Sequence, residues 1–418
     1  MSIPAALVSP AELGALRTAL DAALPEYLAD LEHLVNTDCG SYTKDGVDAI
    51  GAWTADRLRT LGATVTSHPN ELGLGETLVA DIDGADPGGP SLLCIGHMDT
   101  VFDPGTAAAR PFRIEDGIAT GPGVTDMKSG LLAGLYAVAA IRDALGGLPL
   151  SRLVFVANPD EEIGSPASTP HIRALAADAD ACLVLECARA NGDIVSSRKG
   201  NLGLAVTVHG RAAHAGVEPE KGRSAILEAA RVVTDLHALN GRWPGVTVNV
   251  GVIAGGTRPN VVAERCVLEV DVRAVTRDTL IEAEAEIRAI AARTVVPDVT
   301  VVVEEQARHW PMEKLERSGR LVGHAVGIAA ELGFELHDAA TGGASDANTT
   351  AGLGVPTIDG LGPIGGLDHA PGEYLEVDSI VPRTQLLAAL ITAIGRDPEV
   401  RAWRAARRAG AEAGATTA

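Results

Sequence analysis

Positive charge is scarce in this chain: 34 Lys and Arg stand against 55 Asp and Glu in 418 residues, a formal net charge of -21. Nucleic-acid binding, which relies on cations to neutralise phosphates, is disfavoured, whereas an acidic balance suits divalent metal cations. Cysteines are few and scattered: Cys39, Cys94, Cys182, Cys187 and Cys266 form no Cys-x-x-Cys pair and make an odd total. That argues against a disulfide framework or a thiolate zinc site and for buried, reduced thiols. The N-terminal "MSIPAALVSPAELGALRTAL" has no basic leader before an uninterrupted apolar core, and no uninterrupted apolar run approaches the roughly 20 residues that span a bilayer. A cytoplasmic protein with no membrane partner is the expectation. No Gly-x-Ser-x-Gly elbow is present, so a serine nucleophile fits poorly.

Hydrophobic residues at 46% and charged residues at 21% are enough for a folded globular chain, and the length suggests two or three units. The first half alternates apolar runs with helical patterns: "TLVADID" 77–83, "SLLCIGH" 91–97, "LLAGLYAVAAIRDAL" 131–145, "RLVFVANP" 152–159 and "ACLVLEC" 181–187. This predicts an α/β fold, a sheet flanked by helices, with polar groups gathered where strands end. From residue 201 the order becomes strand 202–210, helix 224–239, strand 246–253, strand 265–274, helix 279–294 and strand 299–307. The order βαββαβ is that of the ferredoxin-like unit, which can be inserted as a block. The reading is a discontinuous catalytic domain, 1–200 and 312–418, interrupted by a domain at 201–311. A last helix is expected near 379–395, and fraying over the last ten or so residues.

Chemistry-bearing residues collect at the strand ends. His97 and Asp99 in "CIGHMDTVF" are two apart, so on a strand they face one side, His97 as ligand and Asp99 as the group that orients it, unless both are merely surface polars. Asp126 in "GPGVTDMKSG" follows a Gly-Pro-Gly bend and reads either as a ligand or as a helix N-cap. "ANPDEEIG" 157–164 places Asp160, Glu161 and Glu162 side by side, Glu186 ends the strand after it, and His369 sits in "GGLDHAPGEY". Adjacent carboxylates repel unless solvated or sharing a cation. Two imidazoles, several carboxylates and no thiolate suit zinc, and also manganese or cobalt; two ions bridged by one carboxylate hold that many anions economically. "GLGPIG" 360–365 matches Gly-x-Gly-x-x-Gly, but Pro363 and its place near the C-terminus count against a dinucleotide site.

In sequence order, "GHMDTV", "GPGVTDMKSG", "NPDEEIGS", "GRAAHAG", "GGTRPNVV" and "GLDHAPGEYLEVD" resemble the successive motifs of the M20 family of di-zinc peptidases and deacylases, spanning residues 96–378. The likeness is greatest to the glutamate carboxypeptidase, or carboxypeptidase G, branch. The resemblance implies two Zn2+ per subunit, with Co2+ or Mn2+ as substitutes: one ion at His97, Asp126 and Glu186, the other at Asp126, Glu162 and His369, with Asp126 bridging. It makes Glu161 the general base for amide hydrolysis. It makes the inserted domain a lid and dimerisation domain whose His214 reaches the neighbouring subunit's site to stabilise the oxyanion. Glu186, rather than Asp, points to carboxypeptidases and deacylases.

For a substrate's free carboxylate, cations and amides are needed. The resemblance suggests Asn260 and Arg273, then Lys199 and Arg308, with Gly342, Gly343 and Ser345 of "TGGASDAN" lining the pocket. The branch's Arg-Pro near the lid's end is replaced here by Arg308-His-Trp-Pro311. The expected activity is release of a C-terminal, glutamate-like amino acid from an N-acyl or peptidyl substrate by a homodimer. An N-acyl-amino-acid deacylase or a dipeptidase is the alternative. A non-catalytic binding protein on the same fold would be expected to have lost Glu161 or a ligand, and all six positions are present.

Overall fold

The computed structural model describes residues 7–415, which fall into two compact units. The first comprises Met1–Ser196, Lys314–Ala340 and Ser345–Ala418; the second comprises Ser197–Glu313 and Thr341–Ala344. The short segment Thr341–Ala344 joins the second unit because Lys199 N–H donates to the Thr341 carbonyl at 3.1 Å and Arg198 to the Gly343 carbonyl at 3.1 Å.

In the first unit a six-stranded sheet runs, in spatial order, Thr64–His68, Thr77–Asp83, Arg152–Asn158, Ser91–His97, Ala181–Val184 and Thr357–Ile358. The first two strands are antiparallel to their neighbours, while the last four are mutually parallel. Ser91–His97 is buried throughout, as a central parallel strand with both faces covered must be, which explains its unbroken apolar run. Helices Pro10–Val35, Ser129–Leu145 and Ile380–Arg396 pack against one another. Ser9 and Glu12 form a reciprocal capping box on the first of these, and Glu12 also pairs with Arg396 at 2.7 Å. The stretches Val124–Leu145 and Val377–Arg396 have the length and hydropathy to cross a bilayer, contrary to the reading of the raw runs, but 89% and 83% of their apolar windows are buried in the fold. They are core helices. The terminal helix Pro398–Ala415 continues through most of the tail for which composition suggests fraying, and residues 416–418 lie outside the described residues.

A second, small sheet of the same unit joins Arg113–Glu115, Ile118–Thr120, Tyr374–Glu376 and Gly365–Gly366. Here Gly365 is obligatory, since a Cβ would lie 2.2 Å from Thr125 Oγ1.

The second unit is a four-stranded antiparallel sheet in the order Thr247–Gly255, Arg265–Ala274, Gly200–His209, Thr300–His309, packed on helices Ala225–His237 and Arg277–Ala292. Its chain order is the βαββαβ that the periodicities predict. Alternate residues Leu202, Leu204, Val206 and Val208 fill its core with Val232, Leu236, Leu280 and Ile287 from the helices. The two edge strands differ. Thr300–His309 exposes Glu304, Glu305 and Gln306 beside Val302 (43%), whereas Thr247–Gly255 exposes Val252 (46%) and Ile253 (54%) together.

Candidate metal centre

Five stretches of the first unit converge at one end of its sheet. His97 is the last residue of its strand, Glu161 and Glu162 form a short 3₁₀ turn just after the strand Arg152–Asn158, and Glu186 follows the strand Ala181–Val184. Because those strands are adjacent and parallel, their carboxyl ends open on one crevice, where open α/β sheets bind ligands. Asp126 enters from the turn Val124–Lys128, whose Asp126–Met127 peptide is cis. His369 comes from the loop before Tyr374–Glu376 and, though not glycine, sits at φ 63 in the left-handed region, a conformation that folds tend to retain at functional sites.

His97 Nε2 lies 3.1 Å from Asp126 Oδ1 and 3.8 Å from Glu186 Oε1. His369 Nε2 lies 3.2 Å from Asp126 Oδ2 and 3.0 Å from Glu162 Oε2. The two oxygens of Asp126 thus face two different imidazoles. Ligand atoms of His97, Asp126 and Glu162 lie within 4.8 Å of one another, and so do those of His97, Glu161 and Glu186. The structure therefore brings together all five ligand candidates and Glu161. His97 is almost wholly buried, while the side chain of His369 is 55% exposed.

Asp99, buried, acts on the cluster in two ways. Its backbone carbonyl meets His97 Nδ1 at 3.0 Å, closer than its own carboxylate at 3.4 Å. That carboxylate accepts the N–H groups of Glu161 (3.1 Å) and Glu162 (3.2 Å) and the Ser41 hydroxyl (2.6 Å). Asp160 is fully buried. It accepts hydrogen bonds from Ala167 N–H and, at 2.6 Å, from the Ser168 hydroxyl, so it pins the far side of the glutamate loop.

Crowding shows in the proton affinities. Burial opposes charge on His97, but Glu186, Asp126 and Asp99 outweigh it and hold the imidazole well above its usual range. Hydrogen bonds to Asp126 and Glu162 push His369 up to about 11. Burial, then the charge of Glu186, raises Glu161 well above the ordinary carboxyl range. Burial, opposed by His97, brings Glu186 to about 7. Asp126 goes the other way: burial raises it, but its bonds with His369 and His97 hold it below the usual range. Without dications, neutrality inside the cluster is kept by protons. A donor set of two imidazoles and four carboxylates that compete for protons in a partly buried crevice fits divalent cations, which replace those protons.

Sequence reasoning missed two residues here. Asp346, near the N-terminus of helix Asp346–Gly352, accepts hydrogen bonds from Asn158 and, at 2.6 Å, from Ser165, fixing both ends of the glutamate loop. Glu373, in the final motif, is buried and bonds the backbone of the turn that carries Asp126. The only sequence signal for either is a charge inside a Gly-rich motif.

Ser345 does not present its hydroxyl as a pocket wall. It is buried, donates to Asp359 at 2.7 Å and caps the helix Asp346–Gly352. In the second unit, Arg308 is taken up by Glu284 and Glu305, each at 2.6 Å, and lies over Trp310; a long cation on an edge strand finds carboxylates of its own unit first. Arg273, half-buried, bonds Asp271 at 2.9 Å. Asn260, Gly342 and Gly343 are exposed, and Lys199 is half-buried. His214 is exposed, and its Nδ1 accepts the Gly216 N–H at 3.1 Å, which leaves the proton of the neutral ring on Nε2.

Residues 93–393 match the model of peptidase family M20/M25/M40. The chain belongs to this family. It is similar to carboxypeptidase G2 of Pseudomonas sp., at 31% identity over 89% of this chain and 90% of that protein. It is also 29% identical to succinyl-diaminopimelate desuccinylase of Dechloromonas aromatica, over 70% of this chain and 80% of the relative. Among solved structures, the aminopeptidase PepT of Bacillus cereus superposes with a TM-score of 0.73 at 23% identity, covering 89% of this chain and 98% of that one. An M20 metallo-carboxypeptidase of Sulfolobus solfataricus does so with 0.66 at 16% identity, covering 88% and 99%. This M20 chain is accordingly a hydrolase of a metal-dependent peptidase and amidohydrolase family that typically uses zinc.

Proposed function

We propose that this M20 hydrolase is a carboxypeptidase that releases a C-terminal, glutamate-like amino acid from an N-acyl or peptidyl substrate. The observation that carries the reading is Asp126 offering one oxygen to the His97 side and the other to the His369 side, with Glu161 grouped with His97 and Glu186. His97, Asp126 and Glu186 would hold one zinc ion, and Asp126, Glu162 and His369 a second, with cobalt or manganese able to replace them. Bound there, such ions lower the pKa of water and polarise a carbonyl.

The chain's own residues do the rest. Glu161 takes a proton from the attacking water on its carboxylate and returns it to the leaving nitrogen. Asp99 holds the backbone of that glutamate and of Glu162, so the base and a ligand move together. Arg273, Asn260 and Lys199 are the groups proposed for the substrate carboxylate; Arg273 would have to turn from Asp271, and Arg308 from both Glu284 and Glu305.

His214 of the partner subunit would donate from Nε2 to the developing oxyanion. This needs a homodimer through the second unit, and its apolar edge strand supports one. Val252 and Ile253, with Ile226 and Leu227 on the adjoining helix, leave a strand edge open to pairing, while the opposite edge is guarded by glutamates.

An N-acyl-amino-acid deacylase is favoured instead by one observation, the likeness to a desuccinylase. A panel of folate-like N-acyl glutamates, dipeptides and acetylated amino acids, assayed with added zinc, manganese or cobalt, separates the readings. Preferential release of glutamate is the expected result. Preference for acetylated amino acids gives the deacylase, and no hydrolysis of any of them by the metal-loaded dimer rejects the catalytic reading.

A further inference from the structure

Two of the three ligands on the His369 side of the cluster, Asp126 and His369, come from different segments, and one carboxylate ties those segments together. Glu373, 1% exposed, lies in the segment that carries His369, and its N–H closes that loop on the Ala370 carbonyl at 3.1 Å. Its Oε2 accepts the Gly123 N–H at 2.8 Å, and its Oε1 accepts those of Thr125 at 2.9 Å and Asp126 at 3.1 Å. Three backbone donors of the turn bearing Asp126 thus end on one side chain. The next residues, Tyr374–Glu376, pair with Ile118–Thr120, so Glu373 locks the end of the small sheet from which both ligands project. His97 and Glu186 are held differently, by the ends of the central strands.

We propose that Glu373 is a positioning residue that fixes Asp126 relative to His369, and so sets the affinity of the ion on the His369 side more strongly than that of the ion on the His97–Glu186 side, which shares Asp126 but takes its other two ligands from the central strands. This rests on the two-ion reading above. A carboxylate spans three N–H groups with two acceptor oxygens; an amide of the same shape turns an NH2 toward one of those donors, so the clamp opens without a cavity.

The test is zinc titration by calorimetry of the metal-stripped, full-length protein and of Glu373→Gln, with Asp397→Asn as a stability control. Asp397 pairs with Arg320 and His324, neither of them a ligand candidate, so its loss weakens the fold through contacts outside the donor set. In Glu373→Gln one zinc should weaken about tenfold or more while the other stays within about threefold. Asp397→Asn, despite a lower melting temperature, should leave both unchanged. Equal weakening of both ions, no change in either, or the same pattern in Asp397→Asn overturns the proposal. If the wild type takes up only one zinc, the two-ion reading fails by itself. Glu373 is then judged on that ion: about tenfold weakening confined to Glu373→Gln supports its role, and an unchanged affinity overturns it.

Discussion

The carboxylate of Asp99 accepts the backbone N–H of Glu161 at 3.1 Å, so a residue at the end of one strand sets the position of a proton acceptor at the end of the next. Its second oxygen does the same for Glu162 at 3.2 Å. Asp99→Asn would turn an NH2 toward one of these donors. Losing a hydrogen bond to a charged group costs about 1.5–3 kcal/mol, so kcat should fall roughly tenfold to a hundredfold with little change in KM. Steady-state kinetics would contradict this by showing a loss confined to KM.

Glu161→Gln keeps the shape of the side chain but removes the base. Zinc content, measured by elemental analysis, should stay at the wild-type level while turnover falls by about 10²–10⁴-fold. Loss of one zinc per chain would instead make Glu161 a ligand, which its grouping with His97 and Glu186 allows.

Proton affinities give the metal-stripped protein an unusual pH response. Glu186 and Asp346, both raised chiefly by burial, lie at about 7 against ordinary values of 4.5 and 3.8. The folded chain keeps protons on them that the unfolded chain releases, so their contribution to stability is complete below about pH 4 and is lost as pH rises through about 7. His369, raised to about 11 from 6.5, acts with the same sign over a higher range. The melting temperature of stripped protein should therefore fall between about pH 5 and 8. Zinc competes with those protons, so its stabilisation should grow over the same interval. A stripped protein whose melting temperature rises with pH would refute this.

Charges placed on the open strand edge test the dimer. Val252→Glu with Ile253→Lys should give a monomer by light scattering and lower kcat about a hundredfold through loss of the His214 donor, with zinc uptake unchanged. A monomer of full activity would remove His214 from the mechanism.

Much of the cluster could be read from the chain because His97, Glu161, Glu162 and Glu186 stand at or just after the ends of apolar runs, whereas the division into two ligand sets with Asp126 and His369 comes from the resemblance to the family motifs. Central strands 77–83 and 91–97 have the bounds their patterns predict. What escaped depends on how the chain folds back on itself. Asp160 looks like an excess charge until Ser168 and Ala167 turn back onto it. Arg308 looks like an anion binder until the helix Arg277–Ala292 brings Glu284 beside it. Ser345 reads as a pocket residue because the sequence does not reveal that Asp359 stands behind it. A motif shows that a residue matters at a place, and tertiary packing decides which way its polar atoms face.

The crevice is assembled from the ends of three strands that are neighbours in space but not in sequence, together with Asp126 and a loop close to the end of the chain. Under the two-ion reading the full donor set exists only when those ends, the turn and the loop have come together, so metal uptake and completion of the fold would be linked.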